Sequence, residues 1–424
     1  MYLEKTGSEQ LISRLIWVYF YLLIFEGALR KWFLPGLASP LLIVRDPVAL
    51  LILFYSQYYQ IWKVNTYVML GWILSFISFV LSLAILQVKI PVAVYGLRIM
   101  LLHFPLIFII GKVWSKQDVL KLGHILLWIC IGMTLLVAMQ FYSPQSAWVN
   151  RGVGGDLEGS GFSGAAGFYR VPGTFSFTTG LSAFYGLVFP FIIYFWMGKT
   201  TNRFLLVLAT IAYAVAVPLT ISRTVFFQTV LSIVFLALVS TQNKKLIFSL
   251  VLFVLVVVVL SILVVTTSLF SESILAFTTR FEAANRVEGG LVEGVLMDRF
   301  LGGMLKALND SGNGWFGQGL GLGSNVGARL MSSDKFLISE GEWGRIIGER
   351  GMLLGLFVIL IRLVLVITLS VRAWVNARRK NILPWLLLSL GAVLLLQGQW
   401  SQPTALGFSM LLGGLILASC KENF

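Results

Sequence analysis

Long apolar stretches recur along the chain between short polar turns, and their length decides what they can form. A helix needs roughly 20 apolar residues to cross about 30 Å of hydrocarbon. Stretches of this kind run over 11–29, 44–61, 66–87, 91–111, 119–142, 177–198, 203–220, 223–241, 246–269, 349–371, 383–399 and 404–420. The turns between them carry breakers such as Pro35-Gly36, Ser143-Pro144 and Gln402-Pro403-Thr404. The pattern predicts an all-α integral membrane protein of about 12 transmembrane helices. Two connections are long. The first, 143–176, is rich in glycine, serine and aromatic residues. The second, 270–348, joins spans nine and ten and holds half of the 18 acidic residues. Within it, 292–308 has helical spacing that suits a helix lying on the membrane surface, and 335–348 also reads as helical, so the loop is expected to be a small, partly helical cap.

Composition agrees with the pattern. Hydrophobic residues make up 58% of the 424 and charged residues 12%, against about 25% charged in soluble domains. Mean hydropathy is +0.89. A net charge of +14 raises nucleic acid as a partner, but the basic residues sit in short clusters between apolar runs and act as topology signals. With the N-terminus in the cytoplasm, alternate connections collect Lys63; Lys112, Lys116 and Lys121; Lys199 and Arg203; Lys244 and Lys245; Arg372, Arg378, Arg379 and Lys380; and Lys421. The positive-inside rule therefore places both termini in the cytoplasm and both long loops outside, in a bacterial inner membrane. The polar start MYLEKTGSEQ suggests no cleavable signal peptide. Cys130 and Cys420 lie in apolar runs, so no disulfide framework is implied.

An ionisable residue at membrane depth costs at least about 2.5–3.5 kcal/mol on insertion scales, so each one asks for a reason. Arg223, in Ser222-Arg223-Thr224, occupies a very tight outer turn, either as an interfacial snorkelling residue or as an anion clamp beside a helix N-terminus. It breaks the positive-inside pattern, which favours the clamp. Arg170, in Arg170-Val-Pro-Gly173-Thr-Phe175, is either a surface arginine or a second clamp. Ile338-Ser-Glu340-Gly-Glu342-Trp-Gly-Arg345 crowds two carboxylates and an arginine before the tenth span. Those carboxylates are a general-base pair or the stabilised start of a helix. Arg45-Asp46 reads as an ion pair holding two helices, with Glu26, Arg30 and Lys31 as further members of its network; Arg98 and His103 are packing or pathway residues. Phe316-Gly-Gln-Gly-Leu-Gly-Leu-Gly323 has dinucleotide-like glycines but no βαβ context, so a tight turn or close backbone approach is expected. The two histidines, His103 and His124, lie in a span and at a cytoplasmic turn, and no metal site, Ser–His–Asp arrangement or cofactor is expected.

Taken in order, these motifs resemble the O-antigen ligase and polymerase superfamily, membrane glycosyltransferases acting on polyprenyl-diphosphate-linked glycans. The resemblance covers roughly residues 165–365. Arg170-Val-Pro-Gly173-Thr-Phe175 looks like the family's R-x-x-G-x-F, Ser222-Arg223-Thr224 like its S-R-small turn, and Arg299 with Trp315-Phe-Gly-Gln-Gly319-Leu-Gly321 like the pattern of its large loop. Gly351-Met-Leu-Leu-Gly355 resembles the start of its next span. The chain departs from the ligases in having no histidine after the glycine-rich stretch, where Glu340 and Glu342 stand instead, and this tilts the expectation towards a polymerase.

The resemblance implies a metal-independent inverting glycosyltransferase on the extracytoplasmic face, in surface polysaccharide, O-antigen or exopolysaccharide synthesis. Arg170, Arg223, Arg299 and Arg345 would hold the diphosphate, with Glu340 or Glu342 as base. The implied partners are the lipid-linked glycan, an acceptor glycan or glycolipid, membrane lipids and a chain-length regulator protein. A ligase proper, a lipid-linked glycan flippase or secondary transporter, and a non-catalytic assembly partner are the alternatives.

Overall fold

Polar caps set where the helices start. Thr6 and Glu9 form a reciprocal capping box at the head of α1 (Gly7–Ala28), and Ser115 and Asp118 form another at the head of α6 (Lys116–Tyr142). Between these two lie α2 (Arg45–Tyr58), α3 (Thr66–Ala84), capped by Asn65, α4 (Ile90–Arg98) and α5 (Leu106–Val113). After the first long loop come α7 (Thr178–Met197), α8 (Arg203–Leu219), α9 (Arg223–Ser240), α10 (Ser271–Glu288), α11 (Gly303–Asn309), α12 (Glu342–Arg378), α13 (Leu383–Gln397) and α14 (Pro403–Ser419). A two-stranded antiparallel hairpin, β1 (Phe162–Ala165) and β2 (Phe168–Arg170), pairs Phe162 with Arg170. In this computed structural model the described residues are 5–198, 201–240, 247, 251, 254–255, 259, 262–263, 266–288, 302–309, 314–324, 327 and 341–421. The expected ninth span, 246–269, falls largely outside them, as do 292–301 of the expected surface helix, Arg299 and Glu340.

The protein is helical, and eight helical segments among the described residues are long and apolar enough to cross a membrane: Gly7–Phe33, Pro35–Tyr58, Thr66–Ala84, Ile90–Val113, Lys116–Tyr142, Thr178–Met197, Arg223–Ser240 and Glu342–Arg378. Three shorter apolar helices, Arg203–Leu219, Leu383–Gln397 and Pro403–Ser419, stand beside them. α7 is buried on nearly every face, in contact with α6, α8, α9, α13 and α14. Large apolar side chains such as Phe54, Phe76, Trp128 and Ile367 point outward. On a soluble protein such a surface marks an aggregation liability; against lipid it costs nothing.

The two ends of the bundle differ in chemistry. Lys5 pairs with Asp118 at 2.9 Å, and Lys421 Nζ donates to the Trp114 carbonyl at 2.8 Å, which gathers both terminal regions at the end where α6 begins. The opposite end carries the 143–177 loop, the hairpin and α10.

Three helical segments are interrupted, two near that opposite end and one, Ile90–Val113, about midway along its length. α1 passes into a π-helical turn at Leu29–Phe33, and α4 joins α5 through another at Ile99–His103. Such turns occur mostly as single bulges, frequently at functional sites. α12 breaks at Gly351, whose φ of 77° and ψ of 176° lie outside anything an L-residue adopts readily. Of the segment expected as a helix over 335–348, 335–340 lies outside the described residues, and the rest is helical from Glu342 and meets the tenth span at this kink, where Met352 N donates to the Gly314 carbonyl at 3.4 Å.

The glycine-rich stretch forms a tight turn seated on this break. Gln318 N donates to the Gly348 carbonyl at 2.8 Å, Gly319 N to the Glu349 carbonyl at 3.1 Å, and Leu320 N to Ser82 Oγ at 2.8 Å. A side chain on Gly321, at φ 86°, would strike the backbone of Val92 in α4. The close backbone approach expected for these glycines is therefore to another helix.

Candidate functional site

The hairpin delivers Arg170 to the loop-rich end. Its return is made through Ala166 and Gly167, both at positive φ. Immediately after it, Val171–Phe175 is pinned from two sides. Gly173 N donates to Gln140 Oε1 at 2.9 Å, and Lys31 Nζ donates to the Gly173 carbonyl at 2.5 Å. Thr174 Oγ1 donates to the Ile24 carbonyl at 2.7 Å. The loop carrying Arg170 is thus fixed to α1 and α6, and Arg170 Nη2 donates to Thr178 Oγ1 at 2.9 Å on the first turn of α7.

Arg223 opens α9 directly after a turn in which Ile221 holds φ 47°. Ser222 sits within hydrogen-bond distance of Ser182 on α7, 2.9 Å between hydroxyls, so this turn and Arg170's anchor share one helix. A third arginine joins them. Arg280, on α10, donates from Nη1 to the Gly164 carbonyl at 3.2 Å, and α10 packs on the head of α9 through Phe226, Phe277 and Phe281. Arg170 registers the crowding: partial burial, then Arg280 and Arg223, push its guanidinium pKa down from 12.5 to about 10. It remains cationic at neutral pH, and its Nε has no partner among the described residues. Three guanidiniums thus gather at one corner of the structure, on α9, α10 and the strand that leads into α7.

Sequence reasoning named Arg170 and Arg223 and passed over Arg280, one of several basic residues on a long loop. The Phe277/Phe281 pair, one helical turn apart, was the available signal that this face docks on something apolar.

Beside the corner lies a cavity of about 400 Å³. Its wall includes Phe162, the cross-strand partner of Arg170, and Thr179, the neighbour of Thr178. Tyr95, Phe177, Ser160, Ser176, Gln399, Ser401 and Gln402 add hydroxyls, amides and aromatic faces, and Glu26, Arg30 and Asp156 add charge. Glu26 is buried, whereas Asp156 is exposed. The lining thus mixes apolar and aromatic faces with hydrogen-bonding groups.

Glu342 and Arg345 come together, but with each other. Arg345 Nε and Nη2 form a fork on Glu342 at 2.8 Å each, and Arg345 Nη1 reaches Glu349 at 2.6 Å. Arg362 adds a third hydrogen bond to Glu342 at 2.7 Å. All four side chains are buried. Glu349 in turn accepts from Gly323 N at 3.0 Å, and Arg350 reaches Ser75 and Ser78 at 3.3 Å. The network braces the broken helix against the glycine turn and α3.

Arg45 and Asp46 tie their helix to others by ion pairs, as expected, each through a partner of its own. Arg45 Nε donates to Glu26 at 3.2 Å, while Asp46 takes Arg98 at 2.7 Å and His103 at 2.9 Å. Neighbours on a helix point to different sides, so each finds a partner on another element. Arg30 joins Glu26 at 3.4 Å, and Lys31 bonds a carbonyl instead of a carboxylate. No protein-family profile matches the chain, and no curated protein is detectably similar to it.

Proposed function

We propose that the protein is an inner-membrane glycosyltransferase of about 12 spans that polymerises polyprenyl-diphosphate-linked oligosaccharide on the extracytoplasmic face. The observation that carries this reading is the convergence of Arg170, Arg223 and Arg280 beside a cavity lined with hydroxyls, amides and aromatic rings. A donor of this kind keeps its polyprenyl tail in the bilayer and its diphosphate at the rim. The three arginines bind the diphosphate and stabilise the charge that gathers on it as the C1–O bond breaks. The acceptor hydroxyl oxygen forms the new bond at C1 from the opposite side, so the anomeric configuration inverts. Its proton passes to a carboxylate. Asp156, exposed on the cavity wall, is the group we assign to that step, because Glu342 is committed to two arginines and buried. A ligase would use the same parts with a glycolipid acceptor.

The test is transfer by purified protein from a polyprenyl-diphosphate oligosaccharide, with EDTA present and nucleotide omitted. Glycan ladders that disappear in Arg223→Ala support a polymerase, and a single addition to a supplied acceptor points to a ligase. A second reading, a lipid-linked glycan flippase or transporter, draws on the buried Glu26, Arg45, Arg98 and His103 and the half-buried Asp46. Movement of the lipid-linked sugar across liposomes without transfer would favour it.

A further inference from the structure

Two stretches of the cavity wall come from distant parts of the chain. Gly323 ends the glycine turn, and Gln399, Ser401 and Gln402 belong to the link between α13 and α14. Neither stretch is helix or strand, so each depends on side chains to hold it. The link leaves the C-terminal end of α13, where the last carbonyls have no partner within the helix. Side chains of α12 satisfy them. Arg362 Nε donates to the Leu395 carbonyl at 2.7 Å and Nη2 to the Gly398 carbonyl at 3.1 Å, and Trp343 Nε1 donates to the Leu396 carbonyl at 2.8 Å. The guanidinium charge also meets the negative end of α13. The end of the glycine turn is held from the same α12, with Gly323 N donating to Glu349 Oε1 at 3.0 Å.

Between these two attachment points the contacts are unbroken. Arg345 Nη1 donates to Glu349 Oε2 at 2.6 Å, Arg345 forks onto Glu342 through Nε and Nη2 at 2.8 Å each, and Arg362 Nη1 donates to Glu342 Oε1 at 2.7 Å. All four side chains are more than nine-tenths buried, and none of them lines the cavity itself. Charge-assisted bonds in such surroundings are strong and leave little slack. A shift at one end is therefore taken up at the other or leaves a buried charge unpaired.

We infer that Glu349, Arg345, Glu342 and Arg362 form a positioning chain that sets the glycine turn and the α13–α14 link against each other, and so fixes the shape of the cavity and its affinity for the acceptor. The break at Gly351 lets one helical element serve both stretches, since Glu349 precedes it and Arg362 follows it. The coupling belongs to the fold; that the occupant is an acceptor sugar rests on the proposed function.

The experiment perturbs one end of the chain and reads the other. Ser401→Cys, on the link, is placed in a Cys420→Ser background, and its modification by a small thiosulfonate reagent is timed on the purified full chain in detergent. Cys130, fully buried in α6, reports unfolding by its own modification. Glu349→Asp keeps the charge but is too short to hold Gly323 N and Arg345 together, and Glu349→Gln keeps the length and loses the charge. Either should speed modification at position 401 about two- to thirty-fold while Cys130 stays protected. In transfer assays the acceptor KM should rise over the same range with kcat kept. If Glu349→Gln does not fold, Glu349→Asp decides alone. An unchanged rate of modification in the folded variants overturns the coupling, and faster modification with an unchanged acceptor KM overturns the positioning role. Faster modification in a protein whose wild-type form transfers nothing would sink the proposed function and leave the coupling standing.

Discussion

Arg362 Nη1 donates to Glu342 Oε1 at 2.7 Å across a separation of 20 residues in one helical element. An unbroken helix would hold those positions about 30 Å apart. The contact therefore requires the segment before Gly351 to fold back along the segment after it. Gly355 permits this, since a side chain there would meet the Ile347 backbone at 3.0 Å. Arg362 is further held by the Leu395 and Gly398 carbonyls and lies 3.7 Å over Trp400. Glu342→Gln would leave Arg345 and Arg362 buried with their carboxylate removed. A loss of about 3–5 kcal/mol is expected, read as a large drop in unfolding temperature in detergent. Stability equal to wild type would mean the pair does not brace the fold.

Gly351 is the hinge that makes this contact possible, and its φ of 77° with ψ of 176° lies in a region that is essentially glycine's own, where another residue is strained by about 1–3 kcal/mol. An added side chain would also collide with the backbone of Trp315 and Gly317, where nothing flexible can yield. Gly351→Ala should therefore reduce the yield of monodisperse protein sharply. Gly132→Ala, on α6 with open space around it, should not. Equal behaviour of the two variants would show that the break is not required.

Periodicity exposed most of the helical segments, because apolar length is a property of one segment at a time. The hinge was harder to see: the expected boundary near 349 lay close to it, but nothing local says that Glu342 will meet Arg362. The same holds for the ionic clusters. Arg45 and Asp46 are neighbours in sequence, yet their partners, Glu26, Arg98 and His103, are chosen by how helices pack. Arg170 and Arg223 were legible because each breaks a local pattern, one before Pro-Gly and one in a turn almost without a loop. Arg280 broke none.

Arg170 separates stability from function. Its pKa is pushed down to about 10 by burial and by Arg280 and Arg223, so the fold disfavours its charged form. For a base lowered in the folded state, that cost is present below about pH 10 and is relieved as pH rises from there towards 12.5. A diphosphate held there, as proposed, would relieve it at neutral pH. Arg170→Gln should then raise the unfolding temperature of ligand-free protein at pH 7 while lowering transfer by about 10²–10³-fold. Wild-type binding of inorganic diphosphate should show no loss attributable to Arg170 between pH 6 and 9. A destabilised Arg170→Gln with unchanged transfer would remove the corner from the mechanism.

Asp156 tests the division of labour between corner and cavity. It lies on the 151–161 loop, which is held in place by Gly152 N donating to the Asp156 carbonyl at 2.8 Å and Gly154 N to the Arg30 carbonyl at 3.0 Å. That anchoring keeps a carboxylate at the cavity wall without taking part in the arginine corner. A general base acts on the acceptor and contributes about 10²–10⁴-fold. Asp156→Asn should therefore depress kcat by about that factor and leave affinity for the lipid-linked donor unchanged. Arg223→Ala should weaken both. If Asp156→Asn instead raises KM for the acceptor with kcat intact, Asp156 orients the acceptor sugar, and the proton leaves by another route. Should the variant match wild type in both constants, the base is to be sought in the large loop, where Glu340 is the remaining carboxylate of the expected pair.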